Sequence, residues 1–227
     1  MELASHVIVT FISIIILFGS IIIHEVSHGM AAYMLGDDTA KRRGRLKLNP
    51  LVHVDPFGTI ILPLVLFFLF KFPFGWAKPV PINPYNFKNM KRDMGITALA
   101  GPLSNFTIAF VLSLIIRFMI SSMHLGSGMG IPVGTQYVMA ILTQLIIINL
   151  YLCFFNLIPF PPLDGSKFFG AFLPDSIYFK YVTQERIGMA IFVGLILISS
   201  MLHIDLFGGI LSPIVMNIFR FMTGMQM

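Results

Sequence analysis

Two histidines and a glutamate lie within five residues of each other, in the order His24-Glu25-Val26-Ser27-His28. They sit inside an apolar run over residues 6–35, which is long enough to cross a bilayer as a helix. On a helix, His24 and His28 are one turn apart and share a face, so their imidazoles can bind one zinc ion. Glu25 would lie beside the metal, where its carboxylate can take a proton from a bound water. Ionisable groups in a membrane helix cost about 2.5 kcal/mol or more each, which favours a bound cation over an accidental match.

The composition is that of an integral membrane protein. Of 227 residues, 56% are hydrophobic and 11% are charged, whereas soluble domains average about 25% charged. The formal net charge of +5 indicates loops that face anionic lipid, and no nucleic-acid partner is expected. The single cysteine, Cys153, excludes an internal disulfide and a cysteine-rich metal site. We expect one domain over residues 1–227.

The apolar runs predict an all-α polytopic membrane protein with about five transmembrane helices. The predicted spans are residues 6–35, 95–120, 137–158, 187–202 and 206–221. The last two are either two short spans or one broken hairpin. Within the single domain, the core with the chemical groups covers about residues 6–165, and C-terminal helices cover about residues 186–223. Residues 57–72 are apolar but short for a span and contain Pro63, so they predict a re-entrant segment. Arg45-Leu46-Lys47-Leu48 alternates polar and apolar residues, which predicts a small β element near the cytoplasmic face.

The distribution of Lys and Arg predicts which loops face the cytoplasm. Residues 36–56 and 71–94 carry five basic residues each, and residues 121–135 carry none. Both basic loops lie inside if residues 57–72 re-enter, whereas a full crossing would put the second one outside. This topology also places Arg220 inside and Asp205 outside. We therefore predict a multi-pass protein of the cytoplasmic membrane with its metal site toward the cytoplasm.

A third metal ligand is needed, because a catalytic zinc usually takes three protein ligands and keeps one position open. In the predicted topology the first span and the 137–158 span run in parallel. Asp164, which closes the second of these spans, then lies at the same membrane face as His24 and His28. Three prolines before Asp164 fix its backbone. Asp164 is therefore the favoured ligand, and His53 and Asp55 are its rivals on that face.

Two asparagines lie near helix ends at the level of this site. We predict that Asn105 and Asn156 donate hydrogen bonds to a developing oxyanion or hold a substrate backbone. The alternative is that they cap helices or bridge spans.

Three motifs in order resemble those of the site-2 protease family of intramembrane zinc metalloproteases. They are His24-Glu25-Val26-Ser27-His28, Ala100-Gly101-Pro102-Leu103-Ser104-Asn105, and Asn156-Leu157-Ile158-Pro159 with Leu163-Asp164-Gly165. The resemblance implies that His24, His28 and Asp164 bind one Zn²⁺ per chain and that Glu25 is the general base. It also implies that Asn105 and Asn156 lie near the active site. We expect a compact form of the family, without the PDZ or CBS domains of some members.

The resemblance implies a zinc metalloendopeptidase that cleaves transmembrane segments of single-span membrane proteins, as in regulated intramembrane proteolysis. One alternative is a zinc-binding scaffold without proteolytic activity. A second is a metal transporter with the same three ligands as a transit site, although the outer halves of the spans are apolar. A third is a membrane protease of the type that acts on prenylated proteins, with Glu185 as third ligand. The substrate and the oligomeric state are left open.

Overall fold

Nine α-helices follow one another in the part of the chain that the structure describes. The structure is a computed structural model, and it describes residues 2–70, 75, 77–125, 132–202 and 204–225. The helices are α1 (Glu2–Met34), α2 (Thr39–Arg42), α3 (Leu62–Phe70), α4 (Met90–Leu125), α5 (Val133–Asn156), α6 (Asp164–Gly170), α7 (Asp175–Val182), α8 (Glu185–Met201) and α9 (Leu206–Thr223). Shorter helical turns cover Pro50–His53, Pro56–Ile61 and Pro84–Asn86.

Four of the described helices are long and apolar enough to cross a membrane. These candidate spans are Val9–Met34, Met90–Ser122, Val133–Asn156 and Leu206–Thr223. Helices α7 and α8 form a fifth candidate, bent by 56° between them. Such apolar runs are helical because lipid offers no partners to the backbone, so each N–H and C=O must bond within its own segment. The prediction of a multi-pass α-helical membrane protein is confirmed.

Helices α1 and α5 run in parallel, and α4 runs antiparallel to both. The side chain of Gln144 donates to Ser13, and Nδ2 of Asn149 donates to Ser20 over 3.0 Å, so residue numbers rise together on α1 and α5. On α4, by contrast, Asn105 contacts His24 on α1, whereas the earlier Thr97 contacts His28. The ends of α1 and α5 that lead to His28 and to Asp164 therefore lie on one side of the bundle, which we call the metal-site end.

Helix α9 runs in the direction opposite to the predicted one. Its first residues, Leu206 and Phe207, share an apolar groove with Leu157 and Ile158 at the metal-site end of α5. Its last turn packs in the core of the opposite half of the bundle, and Gly224 lies beside Arg117. The prediction that Asp205 and Arg220 lie at the outer and inner ends is therefore wrong. The hydropathy of a helix such as α9 does not depend on the direction in which the helix crosses the membrane, and a single arginine is a weak indicator of orientation.

The chain enters and leaves the short apolar segment that begins at residue 56 at neighbouring positions, so the two ends of the segment lie close together. The backbone N–H of Lys78 donates to the carbonyl of His53 over 2.8 Å. Gly75 packs so tightly on this segment that an added Cβ would lie 2.5 Å from the ring of Pro63. A full crossing would separate the two ends by the thickness of the bilayer. The contacts agree with the re-entrant prediction, whose last two residues, 71 and 72, lie outside the described residues.

The predicted β element at Arg45-Leu46-Lys47-Leu48 is wrong, since none of the described residues forms a β-strand. A strand needs a partner with free backbone donors and acceptors. The neighbouring segment, residues 77–83, contains Pro79 and Pro81, which have no N–H to donate. Its carbonyls at Lys78 and Pro79 accept instead from the guanidinium of Arg45, over 2.7 and 3.4 Å.

Candidate active site

His24, His28 and Asp164 bring three donor atoms to one point between α1 and α6. Nε2 of His24 lies 3.0 Å from Nε2 of His28 and 3.0 Å from Oδ2 of Asp164. Nε2 of His28 lies 3.2 Å from the same carboxylate oxygen. A tetrahedral zinc with bonds of about 2.0–2.1 Å would place its ligand atoms about 3.3 Å apart, so the three atoms resemble one face of such a site. Among the described residues, this is the one group of three His, Cys, Asp or Glu donors close enough to share a metal ion.

Hydrogen bonds on the far side of the two imidazoles determine which nitrogen carries the proton. Nδ1 of His28 lies 2.7 Å from the backbone oxygen of Thr97, which can only accept, so Nδ1 is the donor. Nδ1 of His24 likewise donates to Oδ1 of Asn105 over 2.6 Å. Neutral imidazoles then direct their Nε2 lone pairs at each other and at the Asp164 carboxylate. Such a set of acceptors repels itself unless a cation lies between its members, so these residues fit a zinc ion.

The backbone of α4 approaches the imidazoles closely at Gly101. A Cβ added to this residue would lie 2.6 Å from Nε2 of His24 and 2.5 Å from Cε1 of His28. Only glycine leaves room for the imidazoles at this point. This explains physically why a glycine stands in the Ala100-Gly101-Pro102 motif, opposite the histidines.

Glu25 faces the same cavity as the three donor atoms. The cavity has a volume of about 540 Å³, and His24, His28 and Asp164 are among its lining residues. Oε2 of Glu25 accepts a hydrogen bond of 2.8 Å from the backbone N–H of Val80. Val80 lies in the extended segment 77–83, which contacts α1 and forms part of the cavity wall beside Glu25. A carboxylate held beside a metal position is placed to act on a water bound there.

A lysine and a glutamate form an ion pair on the cavity wall. Nζ of Lys167, one turn after Asp164 on α6, lies 2.9 Å from Oε1 of Glu185 at the start of α8. Burial lowers the pKa of Lys167, but the negative charges of Glu185, Asp164 and Glu25 outweigh it and raise the pKa above its usual value. Glu185 is thus paired with Lys167 and does not join His24, His28 and Asp164 at the metal position.

The two predicted asparagines have different positions. Asn156 lines the cavity, and its Nδ2 donates to the carbonyl of Leu152 over 2.9 Å, so a contact with substrate stays a prediction for this residue. Asn105 is completely buried behind His24, and Oδ1 and Nδ2 both have protein partners. The amide of Asn105 is therefore suited to orienting His24, and it bridges α1, α4 and α5.

The two rival ligands, His53 and Asp55, do not join the metal group. His53 is fully buried, and its Nε2 donates to the carbonyl of Lys47 over 2.9 Å. The carboxylate of Asp55 accepts from the backbone N–H of Phe57 and Gly58, at the start of the re-entrant segment. Both residues stabilise the segment that precedes α3.

Asp37 was not predicted to have a role, because an aspartate just after a helix is typical of an ordinary turn. In the structure it is completely buried and accepts hydrogen bonds from Thr39, from the backbone N–H of Asn83 and from Nδ2 of Asn86. Burial raises the pKa of this carboxyl, but the hydrogen bonds outweigh burial and lower the pKa below its usual value. Asp37 thereby fastens the end of α1 to the segment that carries Val80.

The bundle of membrane-length helices and the buried His-Glu-x-x-His turn beside an aspartate define the class of multi-pass membrane metallopeptidases. The sequence pattern of Peptidase family M50 matches residues 12–201. The chain therefore belongs to this family, the site-2 protease family, whose members are zinc metalloproteases.

Curated relatives agree with this assignment. The chain is similar to "Putative zinc metalloprotease YwhC" of Bacillus subtilis (strain 168), at 38% identity over 184 residues, which cover 79% of this chain and 77% of that protein. It is also similar to "Putative zinc metalloprotease Rip2" of Mycolicibacterium smegmatis, at 30% identity over 158 residues. These residues cover 68% of this chain and 53% of Rip2. A third relative of that description, MJ0611 of Methanocaldococcus jannaschii, is 35% identical over 106 residues, which cover 46% of this chain and 49% of that protein. No solved structure gives a significant match.

Proposed function

We propose that this metalloprotease is an intramembrane endopeptidase that hydrolyses peptide bonds within the transmembrane segments of single-span membrane proteins. The observation that carries the proposal is that His24, Glu25 and His28 lie inside a helix of membrane length and that Asp164 converges on the two histidines. A soluble substrate would not require the catalytic turn to lie within an apolar span. A substrate already embedded in the bilayer reaches the site without leaving the lipid.

In this proposal His24, His28 and Asp164 hold the zinc ion. When bound, zinc supplies a water of lowered pKa and polarises the oxygen of the scissile carbonyl. Glu25 takes the proton of the attacking water and returns it to the leaving amine. Asn156, on the cavity wall, donates a hydrogen bond to the developing oxyanion. Thr97 and Asn105 hold the two imidazoles in the tautomer that leaves Nε2 free for the metal.

The cavity fits an unwound apolar peptide. A helical substrate hides its carbonyls in internal hydrogen bonds, so it must unwind locally before its backbone can be attacked. Pro79, Val80, Ile82 and Met94 give the cavity apolar walls, which suit the side chains of a transmembrane segment. The extended segment 77–83 lies beside Glu25 and offers a surface along which an extended peptide can lie.

The charge of the neighbouring loops supports a metal site on the cytoplasmic side of the membrane. Residues 36–56 carry five Lys and Arg residues and follow α1 at the metal-site end. Short basic loops favour the cytoplasmic side, so we place the site toward the cytoplasm, in the cytoplasmic membrane. Water reaches the cavity from that side.

Metal analysis combined with a cleavage assay tests the proposal. The purified wild type should hold one zinc per chain and cleave at least one member of a panel of single-span proteins within its membrane segment. His24→Ala and Asp164→Ala should lose both zinc and cleavage. Asp38→Asn, which alters an exposed ion pair with Arg42, should keep both. Zinc binding without any cleavage would favour a scaffold, and a wild type without zinc would overturn the proposal.

A further inference from the structure

Asn149 lies at the centre of a buried polar cluster that connects α5 with the metal ligand His24. Asn149 and Asn105 are completely buried, and Ser20 is nearly so. Nδ2 of Asn149 donates to the carbonyl of Leu145 over 2.8 Å and to Oγ of Ser20 over 3.0 Å. Both amide hydrogens of Asn149 are thereby used, and its Oδ1 accepts from Nδ2 of Asn105 over 2.8 Å.

These hydrogen bonds have one direction only. The carbonyl of Leu145 can only accept, so the amide group of Asn149 must turn its nitrogen toward Leu145 and its oxygen toward Asn105. Asn105 must then direct Nδ2 at Asn149, which leaves its Oδ1 for Nδ1 of His24, 2.6 Å away. The carbonyl of Leu145 therefore sets the orientation of the Asn149 amide, and Asn149 sets that of Asn105. Asn105 in turn determines which nitrogen of the His24 imidazole carries the proton.

The orientation matters because it decides where the proton of His24 lies. With Oδ1 of Asn105 as acceptor, Nδ1 of His24 is protonated and Nε2 has a free lone pair. A reversed Asn105 would direct an N–H hydrogen at Nδ1 and favour the tautomer with its proton on Nε2, in the metal position. The shape of the amide does not prevent that reversal, since its oxygen and nitrogen have nearly the same size. Among the described residues other than Asn149, only the carbonyl of Ser20 accepts from Nδ2 of Asn105, over a longer and therefore weaker 3.5 Å.

We propose that Asn149 is a positioning residue that sets the tautomer of His24 through Asn105 and thereby strengthens zinc binding. The inference rests on the proposed role of His24 as a zinc ligand. Asn149 touches neither the metal position nor the cavity. It reaches the imidazole of His24 through Asn105, and it also contacts α1 at Ser20, one turn before His24. Loss of hydrogen-bond partners behind metal ligands typically weakens metal binding about 10- to 100-fold.

The test compares zinc affinities of purified variants by competition with a chromophoric chelator. Asn149→Leu removes the acceptor for Asn105 and should weaken zinc binding about 10- to 100-fold. Asn149→Thr should stay close to the wild type, because its hydroxyl can donate to the carbonyl of Leu145 and accept from Asn105. The double variant Asn105→Asp with Asn149→Leu should recover affinity, because both carboxylate oxygens accept and no orienting partner is needed.

Gln144→Leu is the matched control. It removes another hydrogen bond between α5 and α1, to Ser13, but on the side of Asn149 away from Asp164. It should lower the melting temperature in detergent and leave zinc affinity unchanged. The absorption spectrum of bound Co²⁺ should change in Asn149→Leu and not in Gln144→Leu, if the ligand geometry of His24 depends on Asn149.

The outcomes separate this inference from the proposed function. A wild type that binds no zinc overturns both. If the wild type binds zinc and Asn149→Leu binds it equally tightly, the role of Asn149 is overturned and the proposed function stands. Should Asn149→Leu not fold, Asn149→Thr still decides. Zinc affinity close to that of the wild type in Asn149→Thr supports the role of these hydrogen bonds, and weakening of about tenfold or more in that variant overturns it.

Discussion

The backbone N–H of Val80 donates a hydrogen bond of 2.8 Å to Oε2 of Glu25. The two residues are 55 positions apart in sequence, and the contact joins the helix that carries the histidine ligands to the extended segment 77–83, which also lines the cavity. A hydrogen bond to a carboxylate is stronger than one between neutral groups, at about 1.5–3 kcal/mol. The proposed base is thus held in place by a main-chain group that no side-chain substitution removes, except a change to proline.

Val80→Pro should keep zinc and lose about tenfold or more in cleavage rate. Proline removes the N–H while its fixed φ suits an extended segment that already contains Pro79 and Pro81, and the loss of about 1.5 kcal/mol or more corresponds to that factor. Val80→Ala, which keeps the N–H, is the control and should cleave at nearly the wild-type rate. Faster cleavage by the proline variant would contradict the prediction and indicate that the contact restrains Glu25.

Glu25→Gln should abolish cleavage without loss of the metal. The amide has nearly the same shape and can still accept from Val80, but it cannot take a proton from water, so the rate should fall by about a hundredfold to ten-thousandfold. Zinc content and cleavage are measured on the same preparation. Peptide cleavage at the wild-type rate in this variant would remove Glu25 from the role of base.

Sequence reasoning succeeds where the chemistry is local or where topology follows from charge. The one-turn spacing of His24 and His28 is enough to place both imidazoles on one helix face. The parallel course of the first and the 137–158 spans, inferred from the basic loops, is enough to bring Asp164 to the same end. The structure places these three residues together.

The partners of these residues could not be predicted, because they depend on which helix faces which. Asn149 is one polar residue among many apolar ones in α5, and nothing in the sequence says that it meets Asn105. Asp37 has the sequence context of a turn, and its burial depends on the return of residues 83–86. Val80 acts through its backbone, which carries no sequence signal. The prediction for the direction of α9 failed for a related reason. An apolar helix fits the bundle in either direction, and only the packing of its side chains decides between the two.

Gly101→Ala should remove zinc binding while leaving the helix intact. Alanine favours helices more than glycine does, but its Cβ would overlap the imidazoles of His24 and His28, so the ligands must move apart. Overpacking of this kind costs about 1–3 kcal/mol. Gly19→Ala on α1 is the control, because no atom lies within 4 Å of the added Cβ, and zinc content should not change. Full zinc occupancy in Gly101→Ala would show that the close approach of α4 is not required.

Asp37→Asn should destabilise the protein at neutral pH and remove one source of its acid sensitivity. The folded carboxyl of Asp37 has a lowered pKa, because its hydrogen bonds outweigh the effect of burial. The stabilisation is therefore present above the unfolded value of about 3.9 and is lost as pH falls through the lower folded value. Loss of the charge should cost about 1–3 kcal/mol at pH 7, and the difference in melting temperature between wild type and variant should shrink below about pH 4. Asp38→Asn, at the exposed pair with Arg42, should show almost no such difference, and a gap between wild type and Asp37→Asn that stayed constant down to pH 3 would contradict the ionised state of Asp37.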